Sequence, residues 1–205
     1  MLLTGFKEEH VIAMRRPSTR STAARHLLTV AEYADLDEVA IGYTELLEGR
    51  LLMSPSPTPE HQKALFGFGH QLFDQLPDDV DLFLQVDIDL GLAEPGDPGF
   101  SRRPDLVIAP KAEVTRRQAE GGLLRASEIL VVIEIVSPGS ERADRVEKFA
   151  EYADAGIPHY WIVDLDSPMS LLPSHLSEEF GYQAGDEVTG KFKTDVPFPV
   201  ALELG

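Results

Sequence analysis

The amino-acid sequence predicts an α/β fold, on three observations. The run Ile129–Ser137, ILVVIEIVS, is nearly continuous in β-branched and aliphatic residues, the pattern of a strand buried on both faces. A helical pattern over Glu141–Ala155 and a second short apolar strand over Tyr160–Asp164 follow it, giving a strand–helix–strand unit of βαβ length and order. Val80–Leu90 sets Val80, Leu82, Leu84, Val86, Ile88 and Leu90 on one face and Asp81, Phe83, Gln85, Asp87 and Asp89 on the other, as a half-buried strand does. With 205 residues, 43% of them apolar, the chain suits one domain with a substantial core.

In chain order, residues 1–26 mix Arg15, Arg16, Arg20 and Arg25 with Ser, Thr and Pro and show no periodicity, so they read as an N-terminal arm ahead of a single domain over 27–205. Thr29 with Glu32 three residues on forms a capping box for a short helix over about 30–35. Glu48-Gly49 marks a turn before a strand at Arg50–Met53, and Pro55, Pro57 and Pro59 exclude helix or central strand until a helix begins at Pro59. In that helix Leu65, Phe66, Phe68, Leu72, Phe73 and Leu76 recur at helical spacing. After Val80–Leu90 comes a Gly/Pro loop, then a short apolar strand opened by Pro104-Asp105. Residues 111–127 read as polar and irregular. Pro138-Gly139-Ser140 is a turn into the helix 141–155, which Gly156 and Pro158 close. Its apolar stripe is Val146, Phe149, Ala150 and Ala153, with Asp144, Lys148 and Tyr152 on another face. Beyond Asp166, short strands are expected at 170–172, 180–183 and 188–193, with an apolar tail from Pro197 docking at an edge.

Composition narrows the function. The formal net charge of −17 opposes broad, sequence-independent binding to polyanions, which Lys and Arg drive by displacing counterions. Without cysteine there is no disulfide, thiolate metal site or cysteine nucleophile. No apolar run approaches the roughly 18 residues of a membrane span, and the N-terminus lacks a secretory core, so a cytoplasmic protein is expected. The six His show no zinc spacing, and neither a phosphate-binding P-loop nor a GxSxG elbow is present.

One residue does not fit its surroundings. Glu134 lies inside the buried strand, where a lone acid is costly unless it is paired, hydrogen-bonded or metal-bound. If the strand opened by Asp105 is its neighbour, the two carboxylates can meet. Two hard oxygen ligands with open positions suit Mg²⁺ or Mn²⁺, which take the rest of their shell from water and phosphate. Lys148 on the following helix is the candidate to position water or offset phosphate charge. Each residue also has a plainer reading: Asp105 as a turn residue, Glu134 as a structural ion pair, His61 as a surface residue, and Asp144, Lys148 and Tyr152 as an exposed helix face.

Pro104-Asp105, Glu134-x-x-Ser137-Pro138, Asp144-x-x-x-Lys148-x-x-x-Tyr152 and Gly156-Ile-Pro-His-Tyr160-Trp161-x-Val-Asp164 together resemble the Uma-type putative restriction endonuclease family of the PD-(D/E)XK nuclease superfamily. Leu28–Tyr33, Glu48–Leu51, Ser54-Pro55 and Glu60-His61-Gln62 extend the likeness to about residues 27–203. The resemblance implies a restriction-endonuclease-like core, a mixed central β-sheet flanked by helices. It implies an Mg²⁺- or Mn²⁺-dependent endonuclease hydrolysing DNA, with Asp105 and Glu134 as metal ligands. The superfamily's usual lysine, two residues after the acid, is replaced here by Val136, and the Uma-type pattern supplies Lys148 instead, with Asp144, Lys148 and Tyr152 then facing the cleft. Asp144 and Tyr152 would support the site, Ser137 would orient Glu134, and Glu48 and His61 would be rim or ligand residues. Cutting both strands would call for a homodimer. Two other classes stay open at this point: a non-catalytic binding or assembly module on the same fold, and a metal-dependent hydrolase of a small phosphorylated molecule, which fits the acidity better.

Overall fold

The computed structural model describes residues 26–36, 43–54, 56–137 and 140–205. The expected arm lies outside them except for His26, as do Pro55 and the Pro138-Gly139 turn.

Helix α1, Val30–Ala34, begins with the capping box read from the sequence: Glu32 N donates to Thr29 Oγ1 and Thr29 N to Glu32 Oε2. Strands β1, Thr44–Leu47, and β2, Arg50–Met53, form a two-residue hairpin. Its turn residues Glu48 and Gly49 have φ of 48° and 72°, the left-handed pair that matches the twist of the strands. Gly49 is further required by space, since a Cβ there would lie 2.8 Å from Leu27 Cβ. Helix α2, Pro59–Phe73, is capped by Thr58 and carries proline in its first turn. Leu65, Phe68 and Leu72 face inward, whereas Phe66 and Phe73 are exposed and do not belong to the core stripe expected of them.

The alternating run 80–90 is not one strand. β3, Val80–Leu84, and β4, Ile88–Asp89, belong to different sheets. Gln85 breaks them apart with φ of 53°, and its N–H bonds Asp105 O. β5 is Ser101–Arg102 and β6 is Leu106–Pro110. The stretch expected to be irregular holds helix α3, Lys111–Glu120, and strand β7, Leu124–Arg125. Helix-forming Ala, Glu, Arg and Gln outweigh the missing apolar stripe there, and Gly121 at φ 79° ends the helix.

β8, Val131–Val136, is buried at every position. A π-helical turn, Ala143–Glu147, leads into α4, Lys148–Asp154, and the chain returns as β9, His159–Asp164, parallel to β8. The expected βαβ unit is therefore present. β10 (Ser170–Ser177), β11 (Gly181–Ala184), β12 (Val188–Thr194) and β13 (Val200–Leu204) complete the chain, the last docking the apolar tail along β12.

The larger sheet runs β13-β12-β10-β9-β8-β6-β3, with β11 beside β10, and is mixed through its parallel β8–β9 pair. The smaller runs β2-β1-β5-β4-β7. One face of the large sheet takes Leu106, Ile108, Ile133 and Trp161 against α2, whose buried Leu65, Phe68 and Leu72 each contribute about 1.5–3 kcal/mol of apolar burial. The opposite face takes Val107, Val132, Val136 and Ile162, with Tyr152 of α4 and Ile88 of the small sheet. Period-two alternation along β8 and β6 assigns both Glu134 and Asp105 to this second face. Among the described residues, no helix is long and apolar enough to cross a membrane.

Candidate active site

β6 and β8 are antiparallel, with Leu106 opposite Ile133 and Val107 opposite Val132. One further step in that register sets Asp105 opposite Glu134. The contact is made through the backbone: Ile135 N–H donates to Asp105 Oδ2 at 2.8 Å. His61, from the first turn of α2, meets the same oxygen through Nε2 at 3.0 Å. Both partners are buried, so the bond to Asp105 raises the His61 pKa against the opposing effect of burial. His61 Nδ1 is enclosed without a partner.

Glu134 is 3% exposed. Its Oε1 accepts from Lys148 Nζ at 2.9 Å and from Tyr152 Oη at 2.8 Å. Burial, reinforced by Asp105 and Asp144, pushes its carboxyl up to about 8 despite Lys148. Burial pulls Lys148 the other way, but Glu134, Glu45 and Asp144 outweigh it and hold the amine protonated. Asp144 lies 3.1 Å from Lys148 Nζ through Oδ1, accepts from Ser140 Oγ at 2.6 Å through Oδ2, and receives Tyr160 Oη on its backbone oxygen.

The helix before β9 thus turns Asp144, Lys148 and Tyr152 inward, while Val146, assigned to the apolar stripe, is 59% exposed. The π-helical turn explains the difference. An extra residue in one turn shifts the phase on which a 3.6-residue stripe depends, and such turns concentrate at functional sites. These three side chains lie against Glu134 or its lysine rather than on an exposed helix face.

Two expected residues are not brought to the cluster. Glu48 is exposed in the hairpin turn. Ser137 makes its hydrogen bonds with Ser140, whose Oγ accepts from Ser137 N and whose N–H donates to Ser137 O, and none with Glu134 among the described residues. The serine that supports the cluster is Ser140, through Asp144. The acid that the hairpin supplies is Glu45, 4% exposed. Glu45 takes Arg102 Nη1 at 2.8 Å and Arg103 N at 3.2 Å, and lies 3.8 Å from Lys148 Nζ. Burial alone would raise its carboxyl, but Lys148 and Arg102 bring it below the ordinary range. Arg102 is buried and bonds Glu151 at 2.6 and 2.7 Å. A sequence signal existed, since a lone acid in the otherwise apolar β1 pattern of T-E-L-L raises the same question as Glu134.

The donor set fits a hard divalent cation. The hydrogen bonds to the two central acids fall on Asp105 Oδ2 and Glu134 Oε1. Asp105 Oδ1 and Glu134 Oε2 take none among the described residues. Among the described residues no group of three or more His, Cys, Asp or Glu is arranged to hold a metal, and Asp105 and Glu134 are the two carboxylates that could take one. That suits Mg²⁺, which retains water and takes phosphate oxygens. A separate cavity of about 370 Å³ lies between α1, the 93–100 loop and the end of α3, and it shares no residue with this cluster.

Comparison with known proteins agrees with the fold. The family model described as Uma2, putative restriction endonuclease, matches residues 30–177. The structure is similar to the crystal structure of a putative nuclease belonging to DUF820 from Anabaena variabilis, with a TM-score of 0.59 and 19% identity, over 83% of this chain and 89% of that one. That likeness supports the restriction-endonuclease-like fold. No curated protein matches the sequence.

Proposed function

Because the chain belongs to the Uma2 family of putative restriction endonucleases, matched over residues 30–177, we propose that it is an Mg²⁺- or Mn²⁺-dependent endonuclease that hydrolyses DNA phosphodiester bonds. The observation that carries this reading is the buried convergence of Asp105, Glu134 and Lys148 from two adjacent strands and the following helix, with one oxygen of each acid taking no hydrogen bond among the described residues.

In this reading Asp105 and Glu134 hold the metal, which supplies Lewis-acid polarisation of the phosphoryl oxygen and activation of water. Their geometry is set beforehand. The Ile135 N–H and His61 fix one oxygen of Asp105, and Tyr152 and Lys148 fix one oxygen of Glu134. Lys148 stays protonated among three carboxylates, so it acts as a donor and a positive charge rather than as a base. It holds the attacking water or offsets charge developing on phosphate. Asp144 and Glu45 keep its amine at the cluster, and Ser140 keeps Asp144 in place.

The test is a plasmid-nicking assay with Mg²⁺ or Mn²⁺, using wild type and Glu134→Ala, each shown to be folded by circular dichroism. Wild type should cut and the variant should not. Equal behaviour of the two would show the assignment to be wrong.

A further inference from the structure

We propose that the hairpin face carrying Glu45 is a base-stacking platform, with Tyr43 seated on Arg103 as its flat surface and Leu52 as its apolar edge. It directs the enzyme to nucleic acid with unstacked bases in preference to intact duplex. This rests on the nuclease reading above.

Alternation along the strand puts Tyr43 on the same face as Glu45, and the antiparallel register sets Leu52 directly opposite Glu45. Ser54 N–H bonds Tyr43 O at 3.0 Å, so the pairing continues past β1 to Tyr43 itself. Glu45 is buried in the cluster, yet its neighbours on this face are open: Tyr43 is 37% exposed and Leu52 45%. The acid at the centre is taken up by Arg102 and Lys148, so what the face offers a ligand is its rim, an aromatic and an aliphatic suited to a flat apolar group.

The aromatic is immobilised in advance. The Arg103 guanidinium lies 5.1 Å from the centroid of the Tyr43 ring. Arg103 is itself fixed from two sides, by its N–H on Glu45 Oε1 at 3.2 Å and by Nε on Asp87 at 2.9 Å. Asp87 is held in turn by Tyr33 Oη at 3.1 Å. One face of the Tyr43 ring is therefore backed by a fixed cation, and ordering the platform costs a ligand little.

The platform adjoins the reacting cluster. Tyr43 is two residues, about 7 Å, along the strand from Glu45, whose Oε1 lies 3.8 Å from Lys148 Nζ. A base resting on Tyr43 would belong to a nucleotide flanking the phosphate held there. The net charge of −17 opposes counterion-driven binding to duplex and single strand alike, so the preference rests on the stacking surface. Base–aromatic stacking requires bases free of their own stack, which a single strand offers and an intact duplex does not. The rival occupant is a second copy of the chain pairing along β2, which is the exposed edge of the small sheet. Edge pairing gives no role to the fixed Tyr43–Arg103 seat.

The test uses full-length protein with Ca²⁺ in place of Mg²⁺, and fluorescence anisotropy on a 5′-labelled single strand and on its duplex. Tyr43→Ala should bind the single strand about tenfold more weakly and the duplex within twofold of wild type, while Tyr43→Trp restores the preference. A 2-aminopurine placed beside the bound phosphate should be quenched by wild type and Tyr43→Trp but not by Tyr43→Ala. Unchanged single-strand binding by Tyr43→Ala, or equal loss on both substrates, overturns the platform. So does a dimer that Leu52→Ser converts to monomer with no change in affinity. If wild type cuts DNA while any of these results holds, only the platform fails. If wild type neither binds nor cuts nucleic acid, the nuclease reading fails with it.

Discussion

Tyr152 Oη and Lys148 Nζ both donate to the same oxygen of Glu134, Oε1, at 2.8 and 2.9 Å. One edge of the carboxylate is thus bound by the helix, while Oε2 takes no hydrogen bond among the described residues. Lys148 and metal therefore do not compete for an atom, and their contributions separate. Lys148→Ala should lower the cleavage rate by about 100-fold or more, the scale of losing one positioned donor to a developing anion. Calorimetric titration with Mn²⁺ should meanwhile show metal binding retained. Loss of metal binding together with activity would make Lys148 part of the structural frame.

Glu45 is the acid that the sequence reading passed over in favour of Glu48. Glu45→Ala leaves Arg102, 2% exposed, with Glu151 as its remaining acidic partner. Removing one member of a buried ionic network costs about 3–5 kcal/mol. Urea unfolding of Glu45→Ala at neutral pH should show a loss of that order, whereas Glu48→Ala, in an exposed turn, should change stability by less than about 0.5 kcal/mol.

Three buried carboxylates, those of Glu45, Glu134 and Asp144, converge on Lys148, and the buried Asp105 on the adjacent strand adds its charge against Glu134. This crowding stabilises a bound cation at the expense of the empty fold. Mg²⁺ or Mn²⁺ should raise the unfolding temperature and EDTA should reverse the shift, because ligand bound only to the native state stabilises it by mass action. In the double variant Asp105→Asn/Glu134→Gln the shift should vanish. Glu134→Gln without metal should melt above metal-free wild type, as expected for an acid whose burial disfavours its charge. Scanning calorimetry decides both points.

Away from the site, Glu113 provides a pH signature. Arg116 holds its carboxyl below the ordinary 4.5 against the effect of burial, and the Arg125 N–H adds to this at 2.8 Å. The folded value is depressed, so the stabilisation is fully present above the unfolded value and is lost as pH falls through the folded one. Urea midpoints of wild type and Glu113→Gln should differ most at about pH 6–7 and converge below about pH 4. A gap that persists in acid would place the effect in packing.

What could be read from the sequence was whatever local chemistry decides. The Thr29–Glu32 box, the Glu48-Gly49 turn, the Pro59 helix start and the buried β8 each depend on residues close together in the chain. The differences arise where long-range structure overrides local pattern. Val80–Leu90 keeps its aliphatic residues on one face throughout, yet Gln85 turns the chain from one sheet to the other. α3 has no apolar stripe because it lies on the surface and is held partly by the Glu113–Arg116 pair. The face of the helix after β8 was misassigned by residue spacing because the π-helical turn changes the period in mid-segment. The family motif placed Lys148 correctly, since a motif records position regardless of period.

The bond from Ile135 N–H to Asp105 Oδ2 also has a consequence for how activity data should be interpreted. The β6–β8 pairing closes at Leu106, and the next rung toward the cleft is made by a side chain. Asp105 therefore works as a selvedge, keeping the sheet from unravelling at that end. Alanine at this position removes the carboxylate proposed to hold metal and opens the weave together, and an inactive Asp105→Ala enzyme would carry two causes in one number. Asparagine keeps an oxygen for the Ile135 N–H while discarding the charge. The difference between Asp105→Asn and Asp105→Ala, rather than either value alone, separates the reaction from the fabric that supports it.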